Sequence, residues 1–173
     1  PVIGVTRSKW KRELAENLGA DFTFAPNENL KNDVLKVTKE KGGVDLVIES
    51  VGQLPILAEA IELVRLGGRI LPFGIYTQTK GELPFYNLYF KEIQVVNARV
   101  AKPEDYPASI DFVQRGVVDL EPLITHTFTL NELNKALDML DDGDSSCIKI
   151  IINLLVIMTF KFYLAMQKLV KKI

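Results

Sequence analysis

The chain has 173 residues, which suits one domain and requires no second. Hydrophobic residues at 47% supply a core, and a formal net charge of -1 excludes the basic field that draws proteins to nucleic acid. A single cysteine, Cys147, excludes an internal disulfide and suits a reducing cytoplasm.

The chain opens at Pro1 inside a strand-like run, with no signal or transit segment ahead of it, and reads as a fragment of a longer polypeptide. Val2 to Val5 is an apolar run of the kind found in strands buried on both faces. Ser8 then caps a predicted helix from Lys9 to Leu18, with Trp10, Leu14, Ala15 and Leu18 on one face and Gly19 as its stop. Asp21 to Ala25 is a second strand. Asn27 caps a helix whose stripe is Leu30, Val34, Leu35 and Thr38, ended by Gly42-Gly43. Val44 to Ile48 is a third strand, turning at Gly52 into a helix from Pro55 to Arg65. Gly67-Gly68 breaks the chain again, and Arg69 to Phe73 is a fourth strand. Lys80 to Tyr89 is irregular, with a short helix near Asn87. Ile93 to Val100 reads as a strand, Glu104 to Gln114 and Asn131 to Leu140 as helices, and Ile148 to Asn153 as a closing strand.

Strands alternating with helices of this length imply right-handed βαβ crossovers and a parallel α/β sheet. The pattern holds over residues 1–154. From Leu155 to Ile173 lysines interrupt the apolar run, which is too short and impure for a membrane span. This stretch is expected to be an appended helix. A membrane-surface helix is the rival, since Lys168, Lys171 and Lys172 cluster at its end.

Four local signatures stand in order: LAENLGAD (Leu14 to Asp21), GGVDLVIESVG (Gly42 to Gly52), LVRLGGRILPFG (Leu63 to Gly74) and the closing CIKIIINL. With the element order, they resemble the cofactor domain of the medium-chain dehydrogenase/reductase family, the zinc alcohol dehydrogenase superfamily. The resemblance covers Pro1 to Leu154. It implies a Rossmann-type doubly wound parallel sheet that binds a nicotinamide dinucleotide. The stretch ARVAKPEDYPASIDFVQRG leans toward the polyol and sugar-phosphate members. Two departures matter. None of the eleven glycines forms G-x-G-x-x-G, so the first strand and the glycine-rich pyrophosphate loop are missing. In the order 3-2-1-4-5-6 that loss leaves a gap at the centre of the sheet. Zinc needs about four ligands, and the chain offers one histidine, His126, and one cysteine. Zinc is therefore expected only in an absent N-terminal part, with no metal bound here.

The resemblance also implies where a cofactor would lie. In NAD-using relatives an acid at the end of the first strand of this chain accepts the ribose hydroxyls. That position is Thr6, followed by Arg7 and Ser8, with Lys9, Lys11 and Arg12 beyond. An uncharged residue followed by arginine suits a 2′-phosphate, so NADP is expected in preference to NAD. The bland reading is a solvated helix start. Ser50, Val51 and Gly52 end one strand, and Gly74 and Ile75 end the next, where backbone would flank the ribose and nicotinamide. Tight turns alone are the alternative. Asn97 and Ala98 resemble the backbone that holds the carboxamide. Lys149 stands where the family sets a cation toward the pyrophosphate, although a lone strand lysine is commonly just exposed. His126 reads as a surface or interface histidine, Cys147 as a packed thiol, and Asp141-Asp142-Gly143-Asp144 as an exposed turn without the later Glu of a calcium loop.

The parent protein is thus expected to be a zinc-type, NAD(P)-dependent dehydrogenase of an alcohol, polyol or sugar phosphate. The present chain would be inactive alone and contribute no acid, base or metal ligand. It would form a homo-oligomer through the 93–100 strand. One alternative is a zinc-free quinone or enone reductase of the same superfamily. The other is a truncated, non-catalytic dimerisation or membrane-surface module.

Overall fold

A computed structural model describes residues 1–143 and 146–154. The expected appended helix over 155–173 lies outside the described residues. The chain divides into two compact units, Pro1–Val100 and Ala101 onward. The single domain expected over residues 1–154 takes in parts of both.

In the first unit, β1 (Ile3–Val5) and β2 (Phe22–Phe24) pair in parallel around the crossover helix α1 (Lys9–Asn17). Gly4 faces α1, where a Cβ would come within 3.6 Å of the Ala15 Cβ. Helix α2 (Leu30–Val37) starts later than the sequence suggests. The Asn27 side chain accepts the Asn29 amide at 2.9 Å, and Asn29 occupies the cap position. The asparagine makes a turn before the helix instead of capping it. Strand β3 (Val44–Glu49), helix α3 (Leu54–Leu63), strand β4 (Val64–Pro72), helix α4 (Phe85–Phe90) and strand β5 (Gln94–Val95) follow, with sheet order β3-β4-β5, all parallel.

Two clusters hold this unit. Ala60, Ile61, Val64 and Ile70 are buried beneath α3, with Val47, Leu88 and Ile93 packed around them. Leu30 and Val34 of α2 join Leu63 in the second cluster. They receive Ile3 and Phe24 from one sheet and Val44 and Val47 from the other. Each fully buried Leu, Ile or Val in such a cluster contributes about 1.5–3 kcal/mol. Helix α2 therefore bridges two sheets that are not hydrogen-bonded to each other, since β1 and β3 each keep one edge without a strand partner among the described residues. The interruption falls where the doubly wound order places its first strand.

Two strand expectations are corrected. The Gly67-Gly68 pair does not break the chain. β4 runs from Val64 through it, and the pairing jumps from Val44↔Val64 to Leu46↔Arg69, a bulge. The Ile93 to Val100 strand is shorter than expected. β5 proper is two residues, although the Val96 and Ala98 amides still donate to the Ile70 and Pro72 carbonyls of β4 at 2.9 and 3.4 Å.

The second unit carries α5 (Asp105–Gln114), β6 (Ile124–Thr129), α6 (Leu133–Asp141) and β7 (Lys149–Asn153). Strand β6 is absent from the sequence reading, and β7 pairs with it in parallel. A capping box between Thr129 and Glu132 turns the chain out of β6 toward α6.

Candidate functional site

Backbone conformation at the end of β1 is set by a cation. The Arg12 guanidinium reaches back from α1 and donates to the carbonyls of Thr6 and Arg7 at 2.6 and 2.9 Å. The Thr6 amide donates to the Phe24 carbonyl at 3.2 Å, so Thr6 continues the β1-β2 ladder by one residue. Ser8 takes the cap position of α1 in extended conformation, yet its side chain makes no capping bond. Lys11 lies with its ammonium 5.4 Å from the Trp10 ring centroid. Thr6, Arg7, Ser8 and Lys11 thus form one turn and the first turn of one helix. Arg12, one of the cations that follow Ser8 in the sequence, is the side chain that shapes that turn.

The carboxyl ends of β3 and β4 meet. A Cβ on Gly74 would stand 2.2 Å from the Gly52 amide nitrogen, and one on Gly52 would stand 2.5 Å from the Ile75 carbonyl oxygen. Gly52 also has φ +79°, open to glycine and strained for other residues. Gly52, Gly74 and Ile75, chosen from two distant motifs, are therefore in contact. Ser50 and Val51 are exposed beside them.

Glu49, the last residue of β3, organises this meeting point and was not among the expected site residues. It is 3% exposed. Its carboxylate accepts the Val51 amide at 2.7 Å, the Gly52 amide at 3.1 Å and the Tyr76 hydroxyl. Its carbonyl accepts the Phe73 and Gly74 amides at 2.7 and 2.9 Å. Burial, and next the hydrogen bond to Glu49, push the Tyr76 hydroxyl well above the usual phenol range. The hydroxyl therefore stays protonated and donating at neutral pH. The signal in the sequence was an acid directly after the apolar residues Leu46, Val47 and Ile48.

Asn97 and Ala98 follow β5, Asn97 exposed and Ala98 half-buried. Lys149 lies in the other unit, exposed at the first position of β7. His126 is half-buried on β6, with Nδ1 3.0 Å from the Thr125 hydroxyl and its ring stacked on Phe128. Cys147 forms no disulfide.

Residues 1–115 match the family described as zinc-binding dehydrogenase. The chain belongs to the zinc-binding dehydrogenase family. A D-arabitol-phosphate dehydrogenase of Enterococcus avium is 28% identical over 146 residues, which cover 83% of this chain and 41% of that protein. Among solved structures, a short chain alcohol dehydrogenase of Escherichia coli complexed with NADH superposes with TM-score 0.77 at 25% identity, over 88% of this chain and 44% of that one. A zinc-binding dehydrogenase of Sinorhizobium meliloti bound to NADP gives TM-score 0.77 at 26% identity, over 88% and 45%. The chain thus spans about two fifths of the length of the curated relatives it matches. Its fold is the Rossmann-like α/β fold of these dehydrogenases, and the neighbours carry NADH or NADP.

The described residues of this zinc-binding dehydrogenase chain do not fit a zinc ion. Among the described residues no three His, Cys, Asp or Glu side chains converge to hold a metal. They fit a dinucleotide better. The end of β1 carries the cations Arg7 and Arg12 and no acid, and Ser50 and Val51 stand exposed after β3. No described helix is long and apolar enough to cross a membrane.

Proposed function

We propose that this chain is the cofactor-binding part of an NAD(P)-dependent dehydrogenase of alcohols, polyols or sugar phosphates, with NADP preferred. A bound nicotinamide dinucleotide supplies the hydride chemistry. The residues of the chain orient it. Thr6, Arg7, Ser8 and Lys11 flank the adenosine ribose and its phosphate. Ser50, Val51, Gly52, Gly74 and Ile75 offer backbone to the nicotinamide side, Asn97 and Ala98 to the carboxamide, and Lys149 a charge to the pyrophosphate. Catalytic zinc belongs to a part of the protein outside these residues, so the chain alone turns nothing over. Residues 1–154 serve this role, in a protein expected in the cytoplasm.

The observation that carries the reading is the end of β1. Thr6 stands where an NAD-selective site would present a carboxylate, and Arg12 holds the Thr6 and Arg7 carbonyls so that Arg7 follows in a defined turn. Titration of the purified chain with NADPH and NADH, followed by nicotinamide fluorescence, tests it. NADPH should bind more tightly, without oxidation of added alcohol. Thr6→Asp should move the affinity ratio toward NADH by about tenfold or more, the value of a charge-assisted hydrogen bond of ~1.5–3 kcal/mol. An unchanged ratio removes the assignment.

The reading also includes a second copy docked along β5, which is the outer strand of its sheet. Val95 and Val96 are exposed there, and an uncovered apolar edge is a liability that a symmetric pair removes on both subunits.

A further inference from the structure

Glu49 is a buried acid for which the binding scheme above has no use. A carboxylate 3% exposed to solvent is costly unless every lone pair is met. Here both oxygens are engaged. Oε1 accepts the Val51 amide at 2.7 Å and the Gly52 amide at 3.2 Å, and Oε2 accepts the Gly52 amide at 3.1 Å and the Tyr76 hydroxyl. The main-chain carbonyl of the same residue takes the Phe73 and Gly74 amides. One residue therefore ties the turn after β3 through its side chain and the turn after β4 through its backbone. Tyr76, 27 residues away in sequence, closes the ring from the second turn back to the carboxylate.

The glycines make the tie exacting. Gly52 and Gly74 touch so closely that neither accepts a Cβ without displacing backbone, the nearest approach being 2.2 Å. A change in the carboxylate's donors is passed directly to the spacing of the two turns, with no side chain between them to absorb it. A neutral amide cannot replace the acid. It would offer one acceptor oxygen and aim its NH₂ group at an N–H or O–H donor.

We propose that Glu49 and Tyr76 are positioning residues, a clasp of one buried and one half-buried side chain that holds the Ser50–Gly52 and Gly74–Ile75 turns at the separation that admits the nicotinamide half of a dinucleotide. The inference rests on the functional reading above. The adenosine half, at the end of β1, lies on a different sheet and is not touched by the clasp.

Tyr76→Phe deletes only the hydroxyl, and Glu49→Gln keeps the shape and removes the charge. Binding of NADPH, and of 2′-phospho-ADP-ribose, which lacks the nicotinamide, is measured by calorimetry on the wild-type chain and both variants. Thermal midpoints are recorded alongside. Tyr76→Phe carries the test if Glu49→Gln does not fold. NADPH affinity should fall about tenfold, with 2′-phospho-ADP-ribose within about twofold of wild type. Tyrosinate absorbance should show one hydroxyl that resists titration in the wild type and is missing from Tyr76→Phe. Equal weakening of both ligands, or wild-type affinity for both, overturns the clasp while leaving the functional reading in place. A wild-type chain that binds neither ligand overturns the functional reading and the clasp with it.

Discussion

Asp45 shows how a surface charge braces an irregular pairing. Its carboxylate receives Lys41 Nζ at 2.7 Å and Arg65 Nε at 2.6 Å, one from the turn before β3 and one from β4 beside the bulge. These hydrogen bonds, from Lys41 first and Arg65 second, hold its pKa at about 2, below the ordinary 3.8. A depressed folded pKa means stability present above the unfolded pKa and lost as pH falls through the folded one. The contribution is therefore complete above about pH 4 and disappears toward pH 2. Asp45→Asn should melt slightly earlier than wild type at pH 6, a small effect because the pair is exposed. The two midpoints should converge near pH 2, and a gap that stays constant from pH 6 to pH 2 would refute the assignment.

At the scale of elements, the end of α3 is closed by a side chain from outside it. The helix passes directly into β4 at Val64, with no glycine stop, and its last carbonyls lack helical donors. Lys91, which follows α4, places its ammonium 3.0 Å from each of the Ile61, Glu62 and Val64 carbonyls. Burial pulls the Lys91 pKa down, and the nearby Glu62 carboxylate opposes that shift. Glu62 is itself held by Lys31 and Asn87. Lys91→Met keeps the length of the stem and removes the donors, leaving three carbonyls to find water. Urea denaturation should show a loss of about 1–3 kcal/mol. A loss within experimental error would mean that solvent already serves those carbonyls.

At the scale of the whole molecule, unpaired sheet edges govern how copies associate. Helix α2 carries the β1-β2 pair and the β3-β4-β5 sheet on one apolar stripe, while β1 and β3 each leave one edge unpaired among the described residues. Leu46 and Ile48, which alternate with Val47 on β3, are 44% and 59% exposed. At the outer edge, the proposed copy-to-copy pairing has a defined donor set. The Val96 and Ala98 amides are spent on β4, so the Val95 and Asn97 amides face away from it. Val95→Pro should therefore abolish dimers in sedimentation equilibrium, since proline lacks the N–H a second strand would use. Dimers that persist in Val95→Pro, or a wild type that sediments as a monomer, exclude pairing along β5.

Much of this protein was legible in its residues. Alternation between a two-residue and a 3.6-residue apolar period marks α1 to α3 and β1 to β3 nearly where they lie, because local backbone geometry decides which side chains share a face. The resemblance carried by the four motifs, not periodicity, singled out Thr6, Gly52 and Gly74, and one histidine with one cysteine sufficed to deny a zinc site. What local pattern does not contain is pairing between distant segments. β4 runs through Gly67-Gly68 because β3 is there to pair across a bulge. β7 is held by β6, whose Ile124, His126 and Phe128 alternate with threonines, a short strand pattern that the reading of helices and strands left out. The roles of Glu49, Arg12 and Lys91 belong to the same class. A charged side chain on its own reads as solvated. Only the folded chain brings it against the amides, carbonyls or hydroxyl that satisfy it, and for Glu49 and Lys91 those partners lie as far as 27 and 30 residues away.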